Sequence, residues 1–145
     1  IFDLDAEIVK KAGKSIPEIF AESGEEGFRQ IESEVTAECG ARRGVILVTG
    51  GGVVTREVNY APLRSNGRIY QICRPIEQLS REGRPLSQNA DLNAMAEKRM
   101  PLYQAWAAKQ IENNAAPQAA AEEIWRDFCA YTRTEWAEFE SAGNA

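Results

Sequence analysis

The chain has 145 residues, 43% of them apolar and 27% charged, enough for one compact globular domain and too few for a second. Seventeen basic and 22 acidic side chains leave a net charge of −5, so the broad positive field that drives nucleic-acid binding is missing, and the apolar run 45–48 is far short of the ~18–20 residues that cross a bilayer. Histidine is absent, which removes Ser-His-Asp and Cys-His catalysis and nearly all zinc chemistry, and three widely spaced cysteines without a CxxC read as reduced thiols of a cytoplasmic protein.

Strand and helix signals alternate along the chain, the signature of a parallel α/β sheet. Residues 1–5 read as the last half of a strand, with Asp5 able to cap a short helix that Gly13 stops. Ser15-Ile16-Pro17-Glu18 is a capping box with proline in the first turn, opening a helix that Gly24 ends. Phe28, Ile31, Val35 and Cys39 recur at helical spacing over 25–39, and the polar face of that helix carries Arg29 and Glu32. The run 45–49 is apolar enough for a strand buried on both faces, and it ends in Gly50-Gly51-Gly52. A helix over 55–63, an Asn66-Gly67 turn and a strand over 69–73 follow. Pro75 starts another helix, and Gly83, Pro85, Ser87 and Asn89 mark a polar break. Residues 91–107 read as a helix that Pro101 kinks or restarts, followed by a short strand over 109–112 and a long helix from about 116 to 140. The aromatic stripe of that last helix, Trp125, Phe128, Tyr131, Trp136 and Phe139, reads as core packing.

In open α/β sheets ligands bind beyond the carboxyl ends of the strands, which draws attention to two places. Asp3 and Asp5 end the first strand. They could hold Mg²⁺ through water and accept a proton from a hydroxyl; in the plainer reading, Asp5 caps its helix and Asp3 is solvated. Gly50–Gly52 follow the second strand, where small residues let a ligand approach backbone N–H groups, or simply make a turn. Residues 1–111 hold 15 basic and 15 acidic side chains, so an anionic ligand there needs clustered arginines; Arg29, Arg84 and Arg99 are the candidates. Gly13-Lys14-Ser15 mimics the end of a phosphate-binding loop, GxxxxGK[ST], but the first glycine of that motif falls on Ile8.

Taken in order, these pieces resemble the shikimate kinase family from Phe2 to about Phe128. The resemblance rests on Phe2, Asp3 and Asp5 in strand context, on 13–20 (GKSIPEIF), and on Gly24-Glu25-x-x-Phe28-Arg29-x-x-Glu32. Thr49-Gly50-Gly51-Gly52, Arg84-Pro85-Leu86 and Arg99-x-Pro101-Leu102-Tyr103 complete it. It implies a P-loop kinase-like, three-layer αβα fold with a parallel sheet, spanning 1–145 with a short lid at about 81–90. It also implies phosphoryl transfer from MgATP to the 3-hydroxyl of shikimate. On that resemblance Asp5 would bind the ring hydroxyls and orient or deprotonate the attacking one. Arg29 and Arg99 would grip the carboxylate, Gly51 and Gly52 would line the pocket with backbone, Arg84 would fold over the ATP phosphates, and Asp3 would act on Mg²⁺ through water.

The family's first strand, P-loop and following helix have no counterpart here, so the 145 residues alone are expected to be inactive. The missing strand is central in the family, and without it the sheet should fall into two halves. The expectation is that a separate piece of polypeptide or another copy supplies it, or that it lies outside the sequence as it stands. The readings that compete with a kinase are a non-catalytic shikimate-binding or regulatory module, and the kinase half of a fusion with another enzyme of the same pathway.

Overall fold

A computed structural model describes residues 1–75, 92–114 and 116–143. The helix expected after Pro75 and the lid at 81–90, with Arg84, lie outside the described residues. The elements run β1 (Phe2–Asp3), α1 (Leu4–Ala12), α2 (Ile16–Gly40), β2 (Leu47–Val48), two 3-10 turns (Val53–Thr55, Glu57–Asn59), α3 (Tyr60–Ser65), β3 (Tyr70–Cys73), α4 (Leu92–Trp106), β4 (Lys109–Glu112) and α5 (Pro117–Gly143).

Both pairings are parallel, β1 with β2 and β3 with β4, and the two pairs are not joined to each other. Phe2 stands opposite Leu47 and Asp3 opposite Val48; Tyr70 stands opposite Lys109 and Ile72 opposite Ile111. Among the described residues the strands thus form two separate pairs, as the sequence reading expected.

The helix signals are realised at most boundaries, with one exchange of roles. Asp3, not Asp5, caps α1: its Oδ1 accepts from the N–H of Asp5 at 2.9 Å and of Ala6 at 3.3 Å. The strand therefore ends at the cap residue itself, and Asp5 sits inside the first turn. Gly13 closes α1 in the left-handed conformation. The capping box at Ser15 forms in both directions, with the Ser15 Oγ accepting from the N–H of Glu18 and the Glu18 carboxylate accepting from the N–H of Ser15. The Ser15 hydroxyl also donates to the Glu18 carboxylate at 2.6 Å, and this bond, followed by that from the Ser15 N–H, holds the Glu18 carboxyl below its usual range. Gly24, at φ 66° and ψ −169°, breaks the helical path of α2 at the position where the sequence ends one helix and starts the next.

Three expectations give way. The helix expected over 55–63 is instead two 3-10 turns and a shorter α3, because side chains there bond to backbone. Asn59 Nδ2 donates to the Val53 carbonyl at 2.9 Å, and Thr55 Oγ1 to that of Gly52 at 2.7 Å. β2 is not buried on both faces: Ile46 is 63% and Val48 47% exposed, since β1 is the one strand paired with it among the described residues. Trp125 and Phe128 of the stripe on α5 are not core either. Trp125 is 67% and Phe128 39% exposed, because a two-stranded sheet of four-residue strands covers little of a 27-residue helix.

The core lies between α1, α2 and the turn after the glycines: Leu4, Ile8, Ile19, Phe28, Val35, Cys39, Val53 and Val54, with Tyr103 and Trp106 of α4 packed against it. Each large aliphatic side chain buried there contributes about 1.5–3 kcal/mol. Burial pushes the Cys39 thiol up, and all three cysteines are free. No helix among the described residues is long and apolar enough to cross a membrane.

Candidate acid-binding site

The site forms where β1 and β2 end. Apolar periodicity turns Phe28, Val35 and Cys39 of α2 into the core, and this rotation carries Arg29 and Glu32 inward too: Arg29 is 6% and Glu32 2% exposed. The polar face of the sequence reading is therefore an internal face. Arg29 Nη1 donates to Glu32 Oε2 at 2.7 Å, and its Nε reaches the exposed Glu25 at 3.4 Å. Burial pushes the Glu32 carboxyl above its usual value, while the hydrogen bond and charge of Arg29 work against that rise.

Two further charges bear on Glu32. Asp5 raises its pKa and Arg99 lowers it, so α1 and α4 bring a carboxylate and a second guanidinium within electrostatic range of the Arg29–Glu32 pair. Asp5 and Arg99 are both half-buried.

The glycine triplet closes the arrangement. A methyl group at Gly50 would lie 3.7 Å from Asp5 Oδ1, one at Gly51 2.7 Å from the hydroxyl of Tyr103, and one at Gly52 2.6 Å from Cζ of Arg29 and closer still to its terminal nitrogens. Each glycine thus faces a different wall of the site: α1, α4 and α2. The carbonyls are all engaged, Gly50 by the Val53 N–H at 3.2 Å, Gly51 by the Tyr103 hydroxyl at 2.7 Å, and Gly52 by Thr55 N–H at 3.0 Å. The N–H groups of Gly50, Gly51 and Gly52 donate to no partner among the described residues, leaving three amides for an external acceptor.

The structure thus brings together Asp5, Arg29, Gly51 and Gly52, with Arg99 four residues before Tyr103 on the α4 wall. Asp3 stands apart at the helix cap, exposed, with one carboxylate oxygen committed to α1. Glu25 and Tyr103 touch this site, and the sequence reading assigned them no role. The spacing of Glu25 and Arg29, and of Arg99 and Tyr103, at four residues places each pair on one helix face and could have found both.

Comparison with known proteins shows the family. The shikimate kinase family model matches residues 1–129. The shikimate kinase of Bordetella avium (strain 197N) is 41% identical over 124 residues, 79% of this chain and 59% of its own length. That of Synechococcus sp. (strain CC9605) is 39% identical over 131 residues, 84% of this chain and 66% of its own length. This chain therefore spans about three-fifths to two-thirds of those relatives. A solved shikimate kinase from Acinetobacter baumannii, in complex with shikimate, is similar with a TM-score of 0.75 and 31% identity, covering 92% of this chain and 78% of that one. The enzyme of Aquifex aeolicus gives 0.74 and 28%, covering 90% and 81%. The parallel pairs and their helices accordingly belong to the P-loop kinase-like α/β fold. The family match takes in every element that lines the site, and on it the chain belongs to the shikimate kinase family.

Proposed function

We propose that this chain carries the acid-binding part of a shikimate kinase, an enzyme that moves a phosphoryl group from MgATP to the 3-hydroxyl of shikimate. The observation that carries the proposal is the gathering of two guanidinium groups, one carboxylate and three unengaged amides at the end of β1 and β2. A small hydroxy acid needs just these partners: arginines for its carboxylate, backbone N–H for its oxygens, and a carboxylate that can accept a hydroxyl proton.

In this reading Arg29 and Arg99 grip the carboxylate of the acceptor. Glu32 holds the Arg29 fork in place, and its charge offsets one arginine so that the empty pocket is not strongly cationic. Asp5 binds the ring hydroxyls and takes up or orients the proton of the attacking one. Gly51 and Gly52 present backbone to the same molecule. Arg84, in the lid, neutralises charge on the transferring group. Phosphoryl transfer asks a protein mainly for positioning and charge neutralisation, which this set can supply without histidine.

Asp3 fits an outer contact to Mg²⁺ and no more. It offers a single exposed carboxylate whose Oδ1 already caps α1, and among the described residues no three Asp, Glu, Cys or His groups cluster around a common point. Such a donor suits an ion that keeps its waters and binds chiefly to phosphates. When bound, Mg²⁺ would neutralise charge on the phosphates. The motif GxxxxGK[ST] does not occur in the 145 residues; Lys14 pairs with Glu22 and Ser15 caps α2. We read the interval between the two strand pairs as the place of a strand from the nucleotide-binding segment, in the same or another polypeptide.

The test uses protein made from the complete reading frame. Arg29→Lys and Arg99→Lys should each raise the KM for shikimate at least tenfold and leave that for MgATP nearly unchanged, because a lysine cannot replace a bidentate fork. Unchanged shikimate affinity in both variants, or phosphorylation of gluconate or AMP in preference to shikimate, would overturn the assignment.

A further inference from the structure

Of the three glycine carbonyls, two are held from nearby in sequence, Gly50 by Val53 and Gly52 by Thr55. The third is held from across the site: the Tyr103 hydroxyl of α4 donates to the Gly51 carbonyl at 2.7 Å. The chain has no cis peptide among its described residues, so the Gly51–Gly52 unit is trans and planar. Fixing the direction of its C=O fixes the Gly52 N–H in the opposite direction.

Tyr103 is also coupled to both arginines. It stands four residues after Arg99 on α4, hence on the same helix face, with its ring packed against the core. On the other side, Gly52 lies against the Arg29 guanidinium. Arg99 and Tyr103 thus share one stretch of α4, the Tyr103 hydroxyl holds the Gly51 carbonyl, and the next residue, Gly52, lies against Arg29. Gly51 has no side chain where this arrangement needs none, since a methyl there would lie 2.7 Å from the tyrosine hydroxyl but 3.7 Å from the ring carbon bearing it.

We propose that Tyr103 is a positioning residue of the acid site: its hydroxyl sets the plane of the Gly51–Gly52 peptide and thereby holds the Arg99 wall and the Arg29 wall at a working separation. This rests on the shikimate kinase reading above, and concerns how the acceptor pocket is kept in shape, not the transfer step.

Tyr103→Phe in the enzyme from the complete reading frame tests it, because the ring and its packing stay and only the hydroxyl goes. The KM for shikimate should rise about three- to tenfold, the range for one lost neutral hydrogen bond, with the KM for MgATP and the thermal midpoint close to wild type. A shikimate KM within twofold of wild type overturns the proposal. So does a parallel rise in both KM values, or loss of the fold, which would assign the hydroxyl to stability alone. Gly51→Ala gives an independent reading: its effect on shikimate KM should be severe beside Tyr103 and markedly smaller in the Tyr103→Phe background, where the clashing atom is absent. Equal effects in the two backgrounds count against the hydroxyl. A wild-type enzyme that does not phosphorylate shikimate sinks the functional reading itself, and this inference with it.

Discussion

The two strand pairs are held by different forces. Around β1 and β2 the contacts are apolar and continuous: eight buried side chains of α1, α2 and the post-glycine turn form one cluster, with a buried Arg29–Glu32 pair on its edge. Around β3 and β4 the buried apolar residues among those described are Ile111 and Ala120, and α5 is fastened by a polar knot. Arg68 Nε and the Tyr70 hydroxyl both donate to Asp127 Oδ2 at 2.7 Å, Arg68 lies 4.6 Å from the centroid of the Tyr131 ring, and Lys109 pairs with Glu123 at 2.9 Å. The contrast teaches where precision is needed. The proposed function requires two guanidiniums and a carboxylate to meet a small acid at hydrogen-bond distance, and they stand on the half whose packing resists displacement.

The largest effect should come from breaking the buried pair. Arg29→Met leaves Glu32 charged and buried, and should cost about 3–5 kcal/mol in denaturant unfolding at pH 7. The pH dependence identifies the cause. Glu32 already has a folded pKa above its unfolded value near 4.5, so its contribution to stability declines as pH rises through that window. Removing Arg29 widens the window, so the deficit of the variant should shrink on acidification toward pH 4.5. A deficit independent of pH would mean that the lost packing of Arg29, not the stranded charge, is responsible.

Gly52→Ala comes next. Gly52 has φ −80° and ψ −16°, a conformation open to any residue, so alanine meets no backbone strain. The cost is the displacement of the Arg29 guanidinium, about 1–3 kcal/mol in stability, accompanied by weaker binding of the acid. If the variant matches wild type in both, the guanidinium does not need the glycine.

The same contrast explains what could be read from the sequence. Caps, turns and helix periods are local, and Gly13, Ser15–Glu18, Gly24 and the start of α5 fall where residue chemistry puts them. Asp3 and Asp5 exchanged roles because capping depends on which residue leaves the strand first, a difference of one step that composition does not encode. Hydrophobic periodicity separates a polar from an apolar face, so it put Arg29 and Glu32 on the polar one; only the glycine loop and α4, distant in sequence, turn that face into a pocket wall. The reverse error occurred at Trp125 and Phe128 of α5. Aromatic residues at helical spacing announce a covering surface, and β3–β4 is too narrow to provide one there. The roles of the site residues came from the ordered motifs, since each carboxylate, glycine or arginine had an ordinary explanation when taken alone.

On the β3–β4 side, Asp127→Asn probes the polar knot. The bonds from Arg68 and Tyr70 hold the Asp127 carboxyl below its unfolded value near 3.8, while burial, followed by the bond to Asp127, pushes Tyr70 up to about 12. A depressed folded pKa stabilises above the unfolded value and loses that stabilisation as pH falls through the folded one. The variant should therefore be about 1–2 kcal/mol less stable at pH 7, with the gap closing below pH 4. A gap that persists in acid would mean that the carboxylate charge is not what fastens α5.

The smallest effect is expected at Trp125, and it sharpens the contrast most directly. A tryptophan is ordinarily a heavy contributor to a core, and Trp106, packed against the core cluster and 5.2 Å from the Tyr60 ring, has that role here. Trp125 is 67% exposed, and the ring contact it makes among the described residues is a tilted one to Phe128 at 6.5 Å on the same helix. Removing it uncovers little apolar area and opens no cavity. Trp125→Ser should thus change unfolding free energy by no more than about 0.5 kcal/mol, the range of ordinary surface substitutions. A loss above about 1.5 kcal/mol in the protein made from the complete reading frame would mean that this face of α5 is packed there, and that the two halves are held by more similar forces than their contacts imply.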